Sequence, residues 1–314
     1  MPEVTCIGLL VADVVGKPID SLPEKGKLQR VERMELHTGG CAANTGISLA
    51  KLGVQTAVIG KVGVDGFGDF IVQRLEGHRI ECDGVARDAE AATAATMVLV
   101  HADGERSFLH YYGANATLRQ SDVDMLLVKH SKVVHIAGAF LMPSLDGEPS
   151  ARILKEAQEA GVITAFDTAW DVTGSWIDKI GCCLPYVDYL LPNFEEARLL
   201  AAGRDDPAEI ARFLIDKGVR VVALKMGERG AYVRSADGQE VWVTALRVDA
   251  VDALGAGDAF VAGFLTGVVR GWDLERCAGF ANAVGACCVT ALGATTGIRG
   301  FEETLSFLEE LRRA

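Results

Sequence analysis

The sequence predicts an α/β fold: a mostly parallel central sheet covered by helices on both faces, with a small antiparallel sheet inserted into it. Three observations predict it. Short apolar runs alternate with amphipathic segments along most of the chain, the rhythm of parallel strands joined by helical crossovers. Two stretches break that rhythm with β-like alternation. No repeat, low-complexity tract or Pro/Ser-rich linker divides the 314 residues, which favours one domain, residues 1–314, over two.

In chain order, residues 4–10 read as a buried strand, and the helix-like stretch 45–52 leads into a strand at 56–59. The same pairing recurs as 123–129 with 133–136, 151–160 with 162–166, and 207–217 with 219–224; 189–191 opens a further unit. Residues 302–313 form an amphipathic terminal helix. The exceptions are 27–38 (KLQRVERMELHT) and 93–112, where TAATMVLVHA and RSFLHYY are joined by Asp103-Gly104, a hairpin signal. The inserted segments therefore span approximately 13–38 and 93–112. Edge strands of the main sheet are the alternative for both. Sheets of this kind carry their sites outside the carboxyl ends of their strands.

Composition narrows the function classes. With 31 basic and 43 acidic residues the net charge is −12 and the pI about 5.0. A uniform basic field for nucleic acid, or attachment to an anionic membrane, is not expected. No basic n-region precedes a long apolar run in residues 1–10, and every apolar stretch is broken well short of about 18–20 residues. Eight cysteines, at 6, 41, 82, 182, 183, 277, 287 and 288, include no C-x-x-C, so reduced thiols in a cytoplasmic protein are expected. The six histidines show no ligand spacing. Thirty-five glycines against 8 prolines exceed the roughly 7% usual for glycine.

Much of that glycine sits in motifs. VDALGAGDAF, residues 251–260, is strand-like, then Gly-rich, then helical. Small residues at Gly255, Ala256 and Gly257 let backbone N–H groups at a helix start face open space, a seat for an anion. Asp258 beside it is either a plain N-cap or an acid that takes a proton from an attacking hydroxyl. Gly39-Gly40 ahead of Asn44 permits close backbone approach, with an amide able to donate and accept. Asp13 follows the first apolar run. Residues 60–69 (GKVGVDGFGD) have the order G-x-x-G-x-G with no helix cleanly after them, so a dinucleotide fingerprint is weak and a structural bend is expected. Asn193 and Glu196 lie three apart after a strand and Pro192, one face of a helical turn or simply an acidic first turn. Lys225, Gly227 and Gly230 follow the strand VVALK, at a turn that is either a nucleotide contact or a hairpin.

The segment 251–260 resembles the D-T-x-G-A-G-D signature of the ribokinase-like (PfkB) carbohydrate kinases, with Ala253 in the usual Thr position. Residues 39–44 look like that family's G-G-x-x-x-N segment, and the remaining motifs follow in the family's order from Asp13 to Gly297. The resemblance implies a ribokinase-like three-layer α/β/α fold with a small β-sheet lid, and ATP-dependent phosphorylation of a sugar hydroxyl. It implies Asp258 as catalytic base and an anion hole at Gly255, Ala256 and Gly257. Asp13, Gly39, Gly40 and Asn44 would bind substrate, with His110 of the inserted hairpin beside them. Asn193, Lys225, Gly227, Gly230 and Asn282 would contact ATP. Glu196 would place Mg2+ through water, and Asp252 with the 293–297 loop would hold the K+ that some members bind. A homodimer through the lid is implied as well. The family spans ribose, fructose, sugar acids, inositol and nucleosides; residues 135–138 (HIAG) lack the Glu of some ribose-type members, while Arg106, His110 and Tyr112 would suit an acidic or hydroxyl-rich sugar.

The alternatives are a nucleoside kinase of the same family and a non-catalytic sugar-binding relative. A dehydrogenase is disfavoured because residues 7–12 (IGLLVA) lack G-x-G-x-x-G, and no G-x-x-x-x-G-K-[ST] exists for a Walker A nucleotide site.

Overall fold

Valine and isoleucine with no exposed neighbour make β1 (Val4–Gly8) a strand buried on both faces, as a parallel sheet between two helical layers requires. The computed structural model describes residues 1–103 and 105–313, so Gly104 of the hairpin signal lies outside the described residues. After Gly8 the chain leaves the large sheet at once. It forms β2 (Val11–Lys17) and, after an irregular excursion, β3 (Arg33–Gly39). Helix α1 (Cys41–Lys51) then returns it to β4 (Thr56–Gly63), and α2 (Gly66–Gly77) leads to β5 (Val85–Asp88).

The stretch 60–69 thus does open a helix, contrary to expectation. Asp65 caps α2, its carboxylate accepting from Gly68 N at 2.9 Å and from Thr93 N at 2.7 Å. Gly63 and Gly68 allow close packing against residues 87–93, whereas Gly60 packs against Gly8 and Leu10.

The hairpin of β6 (Ala95–Val100) and β7 (Arg106–Tyr111) precedes a second run of crossovers. These are α3 (Met125–Lys129), β8 (Val133–Ala139), α4 (Glu148–Glu159), β9 (Ile163–Thr168), α5 (Trp176–Ile180), β10 (Tyr189–Leu190), α6 (Phe194–Leu200), α7 (Pro207–Asp216) and β11 (Val221–Lys225). The antiparallel strands β12 (Ala231–Ser235) and β13 (Glu240–Val243) close the sheet; α8 (Ala256–Val269), α9 (Leu274–Cys288) and α10 (Phe301–Arg313) complete the chain.

The nine-stranded sheet has the order β13-β12-β11-β10-β9-β8-β1-β4-β5, parallel from β11 to β5. Alternate residues feed two cores: Val4 and Cys6 face α1, α2, α8 and α9, whereas Ile7 faces α4, α6 and α7. All eight cysteines are free. No helix of the described residues is long and apolar enough to cross a membrane.

The second sheet has the order β3-β2-β6-β7. It is mixed rather than antiparallel, because β2 and β6 run parallel; the chain passes through α1, β4, α2 and β5 between them, and a long crossover returns a strand in the same direction. Pairing puts His37, Asp13, Thr96 and His110 in one rung across all four strands. That face looks onto loops 252–254 and 292–294 of the large unit, with Val15, Val98 and Arg106 alongside. The opposite face carries Met34, Leu36, Met97, Leu109 and Tyr111, which are 39% to 66% exposed.

Candidate active site

Two helix N-termini meet at the carboxyl end of the large sheet. Helix α8 starts from Gly255, whose φ of 76° is left-handed. A Cβ there would lie 2.5 Å from Ala294 O, so glycine is required twice over, by backbone conformation and by space. Helix α1 starts from Gly40, which also has positive φ. The two helices pack together, and Asn44 Nδ2 donates to Asp258 Oδ2 at 2.8 Å. Residues 214 positions apart are thereby joined. Among the described residues, Asn44 Oδ1 is buried without a hydrogen-bond partner. Burial raises the Asp258 carboxyl to about 6; Asn44 opposes that shift, the neighbouring Asp167 adds to it and Lys225 opposes it.

Asp13 belongs to β2 rather than to a turn after the first strand, and it is buried. Its carboxylate lies against Gly39, where a Cβ would be 2.0 Å from Oδ2; the first glycine of the pair exists to admit that acid. Burial raises the Asp13 pKa, partly offset by a hydrogen bond from Thr96. The Thr96 hydroxyl also lies 3.0 Å from His110 Nδ1. Burial holds the His110 ring below its ordinary pKa.

The strand ends β9 and β11 bring a second cluster. Lys225 Nζ donates to Asp167 Oδ2 at 2.7 Å, with both side chains nearly buried. Nζ also stands 3.5 Å from where a Gly257 side chain would begin, so the ammonium borders the first turn of α8. Burial pushes Lys225 down, but Asp167 and Glu196 outweigh it and keep the amine charged. Asn193 and Glu196 form a reciprocal cap: Asn193 Oδ1 accepts from Glu196 N at 2.8 Å, and Glu196 Oε2 from Asn193 N at 3.2 Å. Thr168 Oγ1 donates to the same Oε2 at 2.8 Å. Glu196 Oε1 keeps no protein donor among the described residues. Burial raises this carboxyl to about 7.

Other expected contacts are placed differently. Gly227 lies in the turn between the antiparallel strands β11 and β12, and a side chain there would meet open space. Gly230 is excluded from side-chain bearing by Val243 O, 1.9 Å from its Cβ position. Asn282 Nδ2 donates to Val243 O and Thr244 O, each at 3.2 Å, so both residues secure the 243–245 segment. Arg106 is not free to meet an acidic substrate: it binds Asp252 Oδ1 at 2.6 Å.

Comparisons with known proteins bear on this arrangement. The pfkB family carbohydrate kinase profile matches residues 1–299. An ATP-dependent ribose-1-phosphate kinase of Halopiger xanaduensis is 33% identical over 276 residues, 88% of this chain and 88% of that protein. The chain belongs to the pfkB family of carbohydrate kinases. It is an ATP-dependent sugar kinase with the ribokinase fold. A ribokinase of Arabidopsis thaliana complexed with ribose and ATP superposes with a TM-score of 0.87 at 26% identity, covering 98% of this chain and 99% of the other. A putative ribokinase II of E. coli in complex with ATP and Mg2+ gives 0.86 at 25% identity, covering 99% and 100%.

The kinase contains groups that motif reading passed over. Asp167 and Thr168 end β9, where an acid directly after the buried run ITAF was the available signal. Cys41, the first residue of α1, lies close enough to the Asp258 carboxylate to lower its pKa; nothing local marks it. The donor set suits a nucleotide with one hard cation. The start of α8 at 255–257, where Ala256 N already donates to Ala253 O at 3.3 Å, lies beside the charged Lys225, and Glu196 keeps one oxygen without a protein donor among the described residues, the kind of group that holds a metal through its water shell. No cluster of three or more metal-ligating side chains exists among the described residues.

Proposed function

We propose that this kinase transfers the ATP γ-phosphoryl group in line to a sugar hydroxyl, with Asp258 as base. The observation that carries this reading is the 2.8 Å bond from Asn44 to Asp258, which joins a substrate-approach segment to the anion seat. Asp13 and the free Oδ1 of Asn44 hold the acceptor hydroxyl. Asp258 accepts its proton as the oxygen attacks the γ-phosphorus. The bond from that phosphorus to the β–γ bridging oxygen breaks and ADP leaves. Backbone N–H groups of 255–257 and the Lys225 ammonium hold the charge that develops. Mg2+, placed through water by Glu196, would neutralise the phosphates. The chain acts as one domain, residues 1–314, whose small sheet is a lid over the sugar and excludes water.

An ADP-release screen over pentoses, hexoses, sugar acids, sugar phosphates and nucleosides tests the reading. Sugar-dependent ADP formation is expected; none with any acceptor would sink it. The same assay reads the base. Asp258 must be ionised, so kcat/KM is expected to rise about tenfold per pH unit below about 6 and to level above it. If Glu196, raised to about 7, must be ionised as well, the rise extends to about 7 and steepens below about 6. A flat profile from pH 5 to 7 would exclude Asp258 as the base.

The apolar outer face of the lid supports a homodimer in the cytoplasm. Light scattering is expected to give twice the 33.4 kDa chain mass, and Leu109→Asp, at the centre of that face, to halve it. A wild-type monomer at micromolar concentration would remove the dimer.

A further inference from the structure

The family resemblance offers a monovalent cation one place, between the Asp252 carboxylate and the loop at 293–297. The oxygens it would need are already taken there. Asp252 Oδ1 accepts from Arg106 at 2.6 Å and from Leu254 N at 2.7 Å, and Oδ2 from Gly293 N at 2.7 Å. The Leu254 and Ala294 carbonyls both accept from the Cys288 thiol, at 3.4 and 3.2 Å. Lys51 Nζ takes Thr295 O at 2.6 Å and reaches Ile298 O at 3.5 Å. Asp252 is 3% exposed and Arg106 18%. An added cation would lose the carboxylate or sit against a guanidinium of its own sign, inside protein where repulsion is poorly screened.

We infer that the guanidinium of Arg106 and the ammonium of Lys51 are the built-in cations of this loop pair, and that the kinase needs no K+. Asp252 ties residue 254 to residue 293, and Ala294 O closes on Gly255, so the charge that holds Asp252 shapes the start of α8. Arg106 is the first residue of β7, on the small sheet. The anion seat is therefore complete only when that sheet lies against the loop, and a side chain delivered by the sheet does what a bound ion would do. The inference rests on the kinase reading of residues 255–257, but the presence of a K+ site can be measured apart from it.

Two measurements on the whole protein, in KCl and in choline chloride at equal ionic strength, test this. Thermal melting without substrate is expected to coincide in the two salts, and calorimetric Kd values for ATP with Mg2+ to agree within about twofold. Arg106→Ala is expected to weaken ATP at least about tenfold in choline chloride, with recovery on adding K+ or methylguanidinium to the vacated carboxylate. Arg106→Lys, which keeps a cation and serves if the alanine variant folds poorly, is expected to stay insensitive to K+. A saturable rise of wild-type melting temperature with K+ would overturn the inference, as would tenfold weaker wild-type ATP binding in choline chloride. So would an alanine variant indistinguishable from wild type in both salts. If the wild type binds ATP in neither salt, the kinase reading fails instead, and the melting curves still decide whether K+ binds.

Discussion

Asp258→Asn is expected to abolish phosphoryl transfer while leaving ATP bound. A general base contributes about 10² to 10⁴ in rate, and here no second carboxylate is bonded to Asn44, so a loss of about 10³ or more in kcat is expected. The asparagine is nearly isosteric and can still pair with Asn44, so the ATP Kd measured by calorimetry should change by less than about threefold. Stability should move the other way. The Asp258 carboxyl is raised by burial to about 6, above its ordinary 3.8. Between those values the folded state holds the proton more tightly than the unfolded chain, so folding stability falls as pH rises through that window. Removing the charge removes that penalty, and the variant should melt higher at pH 7, by on the order of 1 kcal/mol. Turnover within tenfold of wild type would mean that the proton leaves by another route.

Lys225→Met is expected to lose about 10² in kcat/KM, because a charged donor beside the anion seat is absent when phosphate charge develops. It should also destabilise the protein strongly, since Asp167 is left buried and ionised with its partner gone, a change of about 3–5 kcal/mol for such pairs. Lys225→Met with Asp167→Asn separates the two effects. The double variant should recover most of the stability and none of the activity. A double variant that regains turnover would make Lys225 a structural partner of Asp167 and nothing more, as would a single variant with wild-type kcat/KM.

The legible parts of this kinase are those written in local spacing. Strand and crossover periodicity, the Gly39-Gly40 pair, the 255–257 seat and Asp258 all depend on neighbours within one turn or one strand, and these fell where the motifs indicated. The helix start at Asn193 and Glu196 was legible too: the two residues cap it reciprocally. Strand β2 and helix α2 were harder to see. The apolar run passes from β1 into β2 with only Leu9 and Leu10 between, so nothing in hydropathy marks the change of sheet. Gly66 and Gly68 likewise weaken the helical pattern of α2 that Asp65 caps.

Periodicity and motif order were enough for the fold class and the layers. They tell which face a side chain takes, since a period of 2 or 3.6 is a property of one segment. What that face touches is decided by pairing register and packing between segments far apart. Asn44 met Asp258, Lys225 met Asp167, and Arg106 of the small sheet met Asp252 only once the chain had closed. The last pairing turned an arginine expected to suit an acidic substrate into a fixed cation for Asp252, the carboxylate that the family resemblance had given to K+.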